Sequence, residues 1–322
     1  MPSIPNVAGV ERYMERSRGI GIALALLCLF ILGAMPILAV ARPIRFDGLT
    51  FSIWLTVWQL LAALPLFTFE SVRARSSLPV ILGRGRTLVI TLVTGAMFGL
   101  STYMFVVAAD KAGPVSMMIA LQAYPLFAML WEMLFFGKRK SPAELGFTLL
   151  MIVALIYLTT EGTFRIAGIS WWSAFALCIP LIWSIAHILL RQVLTTTAIT
   201  PNQVTISRLV ISGIFLLLLY LAIGPPGSLI DATFAIDMQK AALILGVAYY
   251  LELILWFYAM RHIDVSLASS VTVPAPAVTM LLSVLFLGDE IETYQIGAMA
   301  LVAIAMYGLL FAGRRVRRAT PS

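Results

Sequence analysis

The sequence predicts an all-α membrane protein with ten transmembrane helices, built as two inverted five-helix repeats. Composition is the first of three observations behind this prediction. Of the 322 residues, 61% are apolar and only 11% are charged, whereas an average soluble domain has roughly 25% charged residues. A soluble fold of this length could not bury so much apolar surface. The composition therefore excludes a soluble enzyme, a nucleic-acid-binding domain and a disordered chain.

Apolar segments of membrane-spanning length are the second observation. A helix needs about 20 apolar residues to cross a hydrocarbon core of roughly 30 Å. Several of the connecting loops are short, so we expect sequential helices to be antiparallel neighbours. The first segment is longer than the roughly 7–15 apolar residues of a signal peptide, and we expect it to be retained. The ten segments are Gly19–Ala41, Gly48–Phe69, Thr87–Ala109, Pro114–Phe136, Ala143–Thr160, Ile169–Leu190, Val204–Ile223, Ala241–Met260, Val265–Leu287 and Tyr294–Ala312.

An internal repeat is the third observation. An offset of 151 residues aligns three pairs of Gly or Pro: Pro125 with Pro276, Gly137 with Gly288, and Gly146 with Gly297. Each repeat then holds five spans, and an odd number of spans inverts the second copy relative to the first. Inverted repeats are typical of secondary transporters. The predicted divisions are a cytoplasmic segment 1–18, a first repeat 19–160, a connecting loop 161–168, a second repeat 169–312 and a basic cytoplasmic tail 313–322.

Basic residues predict the orientation. With a cytoplasmic N-terminus, 16 of the 22 Lys and Arg residues lie on the cytoplasmic side and Arg208 lies within the seventh segment. This bias follows the positive-inside rule. An even number of spans then places both termini in the cytoplasm. The five basic residues on the opposite side are Arg42, Arg45, Lys111, Arg165 and Lys240.

Prolines interrupt the same span of each repeat, and such interruptions are the best sequence indication of a transport site near the midplane. Pro125 lies in the fourth segment, and Pro274 and Pro276 lie in the ninth. A packing kink is the alternative explanation. The polar candidates for solute binding near the midplane are Gln122, Tyr124, Tyr103, Ser269 and Ser270, although such side chains also hydrogen-bond between helices. A GxxxG pattern at Gly95 and Gly99 predicts close helix packing.

Ionisable groups within spans are costly in lipid and often functional. Glu132 and His187 lie towards the cytoplasmic ends of their segments, and we interpret both as structural. The other two are Arg208 and Glu252. Cys28, like Cys178, lies in an apolar run and is interpreted as a small buried apolar residue.

Glu252 is the strongest single candidate. It precedes Arg261 by nine residues, or roughly 13 Å along a helix, which places it near the midplane. Tyr249, Glu252 and Trp256 share one helix face. A carboxylate beside two aromatic rings can bind a cationic group, and a buried carboxylate can also carry a proton. A static ion pair between Glu252 and Arg208 is the alternative.

The two repeats resemble the EamA domain of the drug/metabolite transporter superfamily. The resemblance rests in the first repeat on Ala109, Ser116, Pro125, residues 134–137 (LFFG) and Gly146, and in the second on residues 258–260 (YAM), Ser266, Pro276, residues 285–290 (LFLGDE) and Gly297. It implies a ten-span inner-membrane carrier for small metabolites, often an exporter, with a central cavity between the halves. We expect an exporter of amino acids or similar amphiphilic solutes.

The expected partners are a small-molecule substrate, the lipid bilayer and protons as a candidate coupling ion, in a monomer or homodimer. The sequence lacks HExxH and GxSxG motifs, and its two histidines are isolated, so we predict no enzyme activity, cofactor or metal. A membrane-embedded enzyme and a channel or non-transporting scaffold remain the alternatives.

Overall fold

The computed structural model describes residues 7–74, 85–136, 141–165, 167, 169–196, 201–263, 268 and 271–319. These residues form helices and connecting turns, without a strand, so the all-α prediction is confirmed for them. The helices are α1 (Val7–Val40), α2 (Gly48–Ala74), α3 (Arg86–Ala112), α4 (Pro114–Leu121), α5 (Tyr124–Phe136), α6 (Pro142–Thr159), α7 (Trp171–Thr196), α8 (Pro201–Ile223), α9 (Ser228–Phe234), α10 (Ile236–His262), α11 (Ala275–Leu282), followed by a π-helical turn (Ser283–Leu287), and α12 (Thr293–Ala319).

Nine candidate membrane spans are present among the described residues, with α4 and α5 counted together as one. The stretch Ala275–Leu287, which combines α11 with the π-helical turn, is a shorter apolar helix. It forms the latter part of the predicted ninth segment, whose residues 265–267, 269 and 270 lie outside the described part of the chain. The described residues therefore support a multi-pass membrane protein, and the count of ten spans stays a prediction.

Capping side chains fix where two of the helices begin. Asp47 Oδ1 accepts the backbone N–H groups of Leu49 and Thr50, each at 2.9 Å, and so caps the start of α2. Ser141 and Glu144 form a capping box at the start of α6. Each contact satisfies a backbone donor that the first helical turn leaves free. This requirement is severe near a bilayer, where water cannot always replace the missing partner.

Helices from the two halves of the chain pack against each other throughout the bundle. The pairs that pack along each other include α1 with α10, α3 with α7, α2 with α10, α3 with α8, α2 with α8 and α6 with α12. All eight residues of α4 are buried. Since a helix with no exposed face belongs to a core, α4 runs through the interior of the bundle, whereas α5 reaches its surface at Leu134 and Phe135.

Glycines allow the closest of these contacts. A Cβ atom at Gly95 would lie 2.6 Å from the Cβ atom of Ile211, and one at Gly99 would lie 3.0 Å from the carbonyl oxygen of Ser212. The hydroxyl of Ser212 donates to the Gly95 carbonyl over 2.7 Å. The GxxxG pattern therefore packs α3 directly on the backbone of α8, as predicted.

Replacing Gly246 by Ala is expected to lower the melting temperature of the purified protein. A Cβ atom there would lie 2.8 Å from the carbonyl oxygen of Leu55 and 2.9 Å from the backbone nitrogen of Gln59. Backbone atoms cannot move aside as a side chain can, so we expect the destabilisation of about 1–3 kcal/mol that is typical of overpacking.

Gly146→Ala is the matched control, because a Cβ atom at Gly146, also within a helix, would meet nothing within 4 Å. We expect its melting temperature to be unchanged or slightly higher, since Ala loses less conformational entropy than Gly. Equal effects of the two substitutions would contradict the close approach of α10 to α2.

Candidate functional site

Polar and aromatic side chains from six helices form one connected group, which we call the central cluster. Helices α1, α3 and α5 come from the first half of the chain, and α7, α8 and α10 come from the second. The central cluster therefore joins the two halves. Its members are Cys28, Phe98, Phe105, Tyr124, His187, Arg208, Tyr249 and Glu252.

Glu252 faces α1. The thiol of Cys28 donates to Glu252 Oε1 over 3.4 Å and lies 3.7 Å from the backbone oxygen of the same residue. Cys28 is fully buried, as its apolar surroundings predicted. The interpretation of Cys28 as a small buried residue is therefore confirmed, and the structure adds that its sulfur is a hydrogen-bond partner of the buried carboxylate. Only the packing of α1 on α10 brings the two residues together.

Arg208 packs on an aromatic ring and makes no contact ion pair with Glu252. Its guanidinium carbon lies 4.3 Å from the centroid of Phe98, a cation–π contact. Ion pairs with direct contact do join Arg42 to Asp110 and Arg45 to Asp237. Arg208 and Glu252 are nevertheless close enough for their charges to attract each other. A static ion pair between Arg208 and Glu252 is thus not supported by a direct contact.

His187 belongs to the central cluster, although its position in the sequence led us to interpret it as structural. Its ring packs edge-on against Phe98, with centroids 5.3 Å apart, and against Tyr124, with centroids 5.6 Å apart. The buried Nδ1 atom makes no hydrogen bond of good geometry, although the backbone of Trp183, one turn earlier on α7, lies near it. The sequence offered one general indication that His187 belongs to a site, because an ionisable residue inside a membrane span is a functional candidate by default.

Tyr249 lies beside Glu252 on α10 and packs edge-on against Phe105, with centroids 5.3 Å apart. Its hydroxyl is buried and has no hydrogen-bond partner. Trp256 shares the predicted helix face, but it packs farther along α10 against a group that contains Ala25 and Ala259. The predicted trio therefore divides, with Tyr249 and Glu252 in the central cluster and Trp256 in a neighbouring apolar group.

The interrupted span brings one further predicted residue into the cluster. Helix α4 ends at Leu121, Gln122 and Ala123 form a turn, and α5 begins at Tyr124. Pro125 is the second residue of α5, where the missing N–H of proline costs nothing. Gln122 is buried, at 8% exposure. The break therefore lies directly before Tyr124, the α5 residue that contacts His187.

The remaining predicted residues lie elsewhere. Pro274 is the N-cap of α11, and Pro276 is in its first turn. Tyr103 packs with an apolar group around Leu49 and Leu216. Ser269 and Ser270 lie outside the described residues.

A cavity of about 610 Å³ is present beside α9, and none of the predicted site residues lines it. The residues that line it are Arg45, Phe46, Pro226, Ser228, Asp231, Phe234 and Ala235.

The central cluster holds both signs of charge and several unused hydrogen-bonding atoms in one place. A guanidinium can bind a carboxylate, a carboxylate can bind an ammonium group, and the aromatic rings can cover apolar surface. The described residues contain no group of three or more His, Cys, Asp or Glu that could hold a metal ion. The arrangement is suited to binding a small solute that carries charged and apolar parts.

The fold and this arrangement define a multi-pass membrane protein with a polar site between its two halves. Residues 170–311 match the model of the EamA-like transporter family. The resemblance drawn from the sequence is thus confirmed for the second repeat, which matches a family of membrane transporters within the drug/metabolite transporter superfamily.

The fold is also that of a known structure. A crystal structure of another protein is similar, with a TM-score of 0.64 over 92% of this chain and 99% of that chain, at 16% sequence identity. At this identity the similarity shows a shared fold. No curated protein matches the sequence.

Proposed function

We propose that the protein is a secondary-active transporter that exports amino acids or similar amphiphilic solutes, with the central cluster as its solute-binding site. The observation that carries this proposal is the arrangement of Arg208 and Glu252. Two opposite charges lie in the interior of a membrane protein, close enough to attract each other, yet without a contact between them. Because isolated charges are costly in a membrane interior, a solute with complementary charges that bridges them explains their retention.

Alternating access is the mechanism that we propose, with the two halves rocking about this site. The helix packing supports inverted repeats. When each helix of the first repeat is replaced by its counterpart in the second, and the reverse, one observed helix contact becomes another observed contact. The contact of α1 with α10 becomes that of α7 with α3, and the contact of α2 with α10 becomes that of α8 with α3.

Both termini are expected on the cytoplasmic side of the inner membrane, because this orientation places 16 Lys and Arg residues inside and five outside. The measurement is a pair of reporter fusions after Arg318, one with alkaline phosphatase and one with a fluorescent protein that matures only in the cytoplasm. We expect the fluorescent fusion alone to be active. An active phosphatase fusion would contradict the ten-span topology.

Counterflow in proteoliposomes tests the proposed function. Vesicles that contain the purified protein are loaded with unlabelled L-leucine, and the uptake of external radiolabelled leucine is measured. A carrier accumulates label transiently above equilibrium, a channel only equilibrates it, and an enzyme converts it. If no amphiphilic amino acid exchanges, while sugars do, the proposed substrate class is wrong.

A further inference from the structure

We propose that Arg208, His187 and Tyr249 form an anion-binding pole, which holds the carboxylate of the transported solute. This inference rests on the proposed function for the statement that the solute is transported. The pole itself is a binding site, and binding can be measured without transport.

Unsatisfied polar atoms are the first observation behind the pole. Six buried side-chain nitrogen or oxygen atoms among the described residues make no hydrogen bond of good geometry, and three of them belong to the central cluster: Arg208 Nε, His187 Nδ1 and Tyr249 Oη. Buried polar atoms in proteins are almost always hydrogen-bonded, and each exception requires an explanation. Three exceptions in one cluster indicate that a ligand supplies the missing partners.

Aromatic packing orients these groups without using their hydrogen-bonding capacity. The Phe98 ring contacts both the Arg208 guanidinium and the His187 ring, with centroid distances of 4.3 and 5.3 Å. Phe105 holds Tyr249 edge-on. The charge of Arg208 also acts on His187 and on Tyr249. These aromatic contacts therefore restrict the orientation of Arg208, His187 and Tyr249, as a preorganised site requires.

The positive charge of Arg208 indicates that the group bound at the pole is an anion. A guanidinium has five N–H donors and no acceptor, and its planar fork matches a carboxylate. Glu252 does not occupy it, because its nearest partner is the Cys28 thiol. The nearby negative charge of Glu252 disfavours a doubly charged phosphate more than a singly charged carboxylate. The pole is therefore suited to one carboxylate, and an amine on the same solute would lie towards Glu252.

Three probes with the same branched alkyl chain test the pole. L-Leucine carries an ammonium group and a carboxylate, 4-methylpentanoate carries only the carboxylate, and 3-methylbutylamine carries only the ammonium group. Binding to the full-length protein in detergent is measured as a shift of its melting temperature with probe concentration. We expect leucine and 4-methylpentanoate to stabilise the protein, and 3-methylbutylamine to stabilise it much less.

Substitutions assign the effect to the pole. Tyr249→Phe and His187→Gln are each expected to weaken 4-methylpentanoate binding about two- to tenfold, the loss typical of one hydrogen bond. Arg208→Gln removes a charged donor and is expected to weaken it about tenfold or more. Tyr250→Phe is the matched control. Its hydroxyl is also buried without a partner, but Tyr250 packs in a separate apolar group with Ala63 and Leu209. The affinity of the Tyr250→Phe variant for 4-methylpentanoate should therefore not change.

The outcomes separate this inference from the proposed function. Stabilisation by the amine alone, or by none of the three probes, overturns the pole, and so does an equal loss of affinity in Tyr249→Phe and Tyr250→Phe. If Arg208→Gln does not fold, the two milder variants still decide the matter. Specific binding of 4-methylpentanoate without counterflow supports the pole and refutes transport, whereas counterflow of the amine alone supports transport and refutes the pole.

Discussion

Replacing Asp110 by Asn is expected to lower the free energy of unfolding by about 1–2 kcal/mol, between the effects typical of exposed and of fully buried ion pairs. Asp110 lies in the last turn of α3 and pairs with Arg42, which follows α1; the two side chains are 26% and 10% exposed, respectively. Breaking a fully buried ion pair by removing one partner costs about 3–5 kcal/mol, because it leaves the other charge uncompensated. The partial exposure of this pair reduces that cost. The measurement is unfolding of the detergent-solubilised protein by SDS or heat.

Asp237→Asn is the matched control, since it breaks the Arg45–Asp237 pair, whose side chains are 60% and 52% exposed. Exposed pairs contribute about 0–1 kcal/mol, so we expect little change. Adding Arg42→Gln to Asp110→Asn should recover part of the lost stability, because it removes the uncompensated charge. Equal losses in Asp110→Asn and Asp237→Asn would show that burial does not distinguish the two pairs.

Hydrophobic length was sufficient to predict the nine spans found among the described residues, but not their ends. Helix α12 continues to Ala319, beyond the predicted end at Ala312, and α1 begins at Val7, well before the apolar run. The length of an apolar run is set by the thickness of the bilayer, whereas a helix ends where its backbone N–H and C=O groups find other hydrogen-bond partners. The short helix α9 was not predicted, because seven residues between two spans carry no usable periodicity.

The sequence predicted those features of the candidate site that follow from spacing along a single helix. Spacing along α10 correctly placed Tyr249 beside Glu252, and depth within the span identified Arg208 as a neighbour in the electrostatic sense. The contacts of Cys28 with Glu252 and of Phe98 with both Arg208 and His187 join residues that are 89 (187 − 98) to 224 positions apart along the chain. The interval is 224 between Cys28 and Glu252. Which faces of distant helices meet depends on tertiary packing, which a single sequence does not encode in any local pattern.

The largest effect on function is expected from Glu252→Gln. If Glu252 binds the amine of the solute or carries a coupling proton, this variant should lower the rate of counterflow about ten- to a hundredfold, the loss of one charged interaction. Protein yield and melting temperature should change little, because Gln has the same shape and can still accept the Cys28 thiol hydrogen bond. Counterflow and thermal unfolding are measured on the same preparation.

Two further variants distinguish a functional carboxylate from a structural one. Cys28→Ala removes the thiol contact alone and should lower the rate of counterflow much less than Glu252→Gln does, so that the larger loss is assigned to the carboxylate charge. If Glu252 only neutralises Arg208, Glu252→Gln should instead be scarce or thermolabile, and adding Arg208→Gln should restore its stability. The packing of Arg208 on Phe98, without a contact to Glu252, favours the first outcome. A stable and fully active Glu252→Gln protein would contradict both roles.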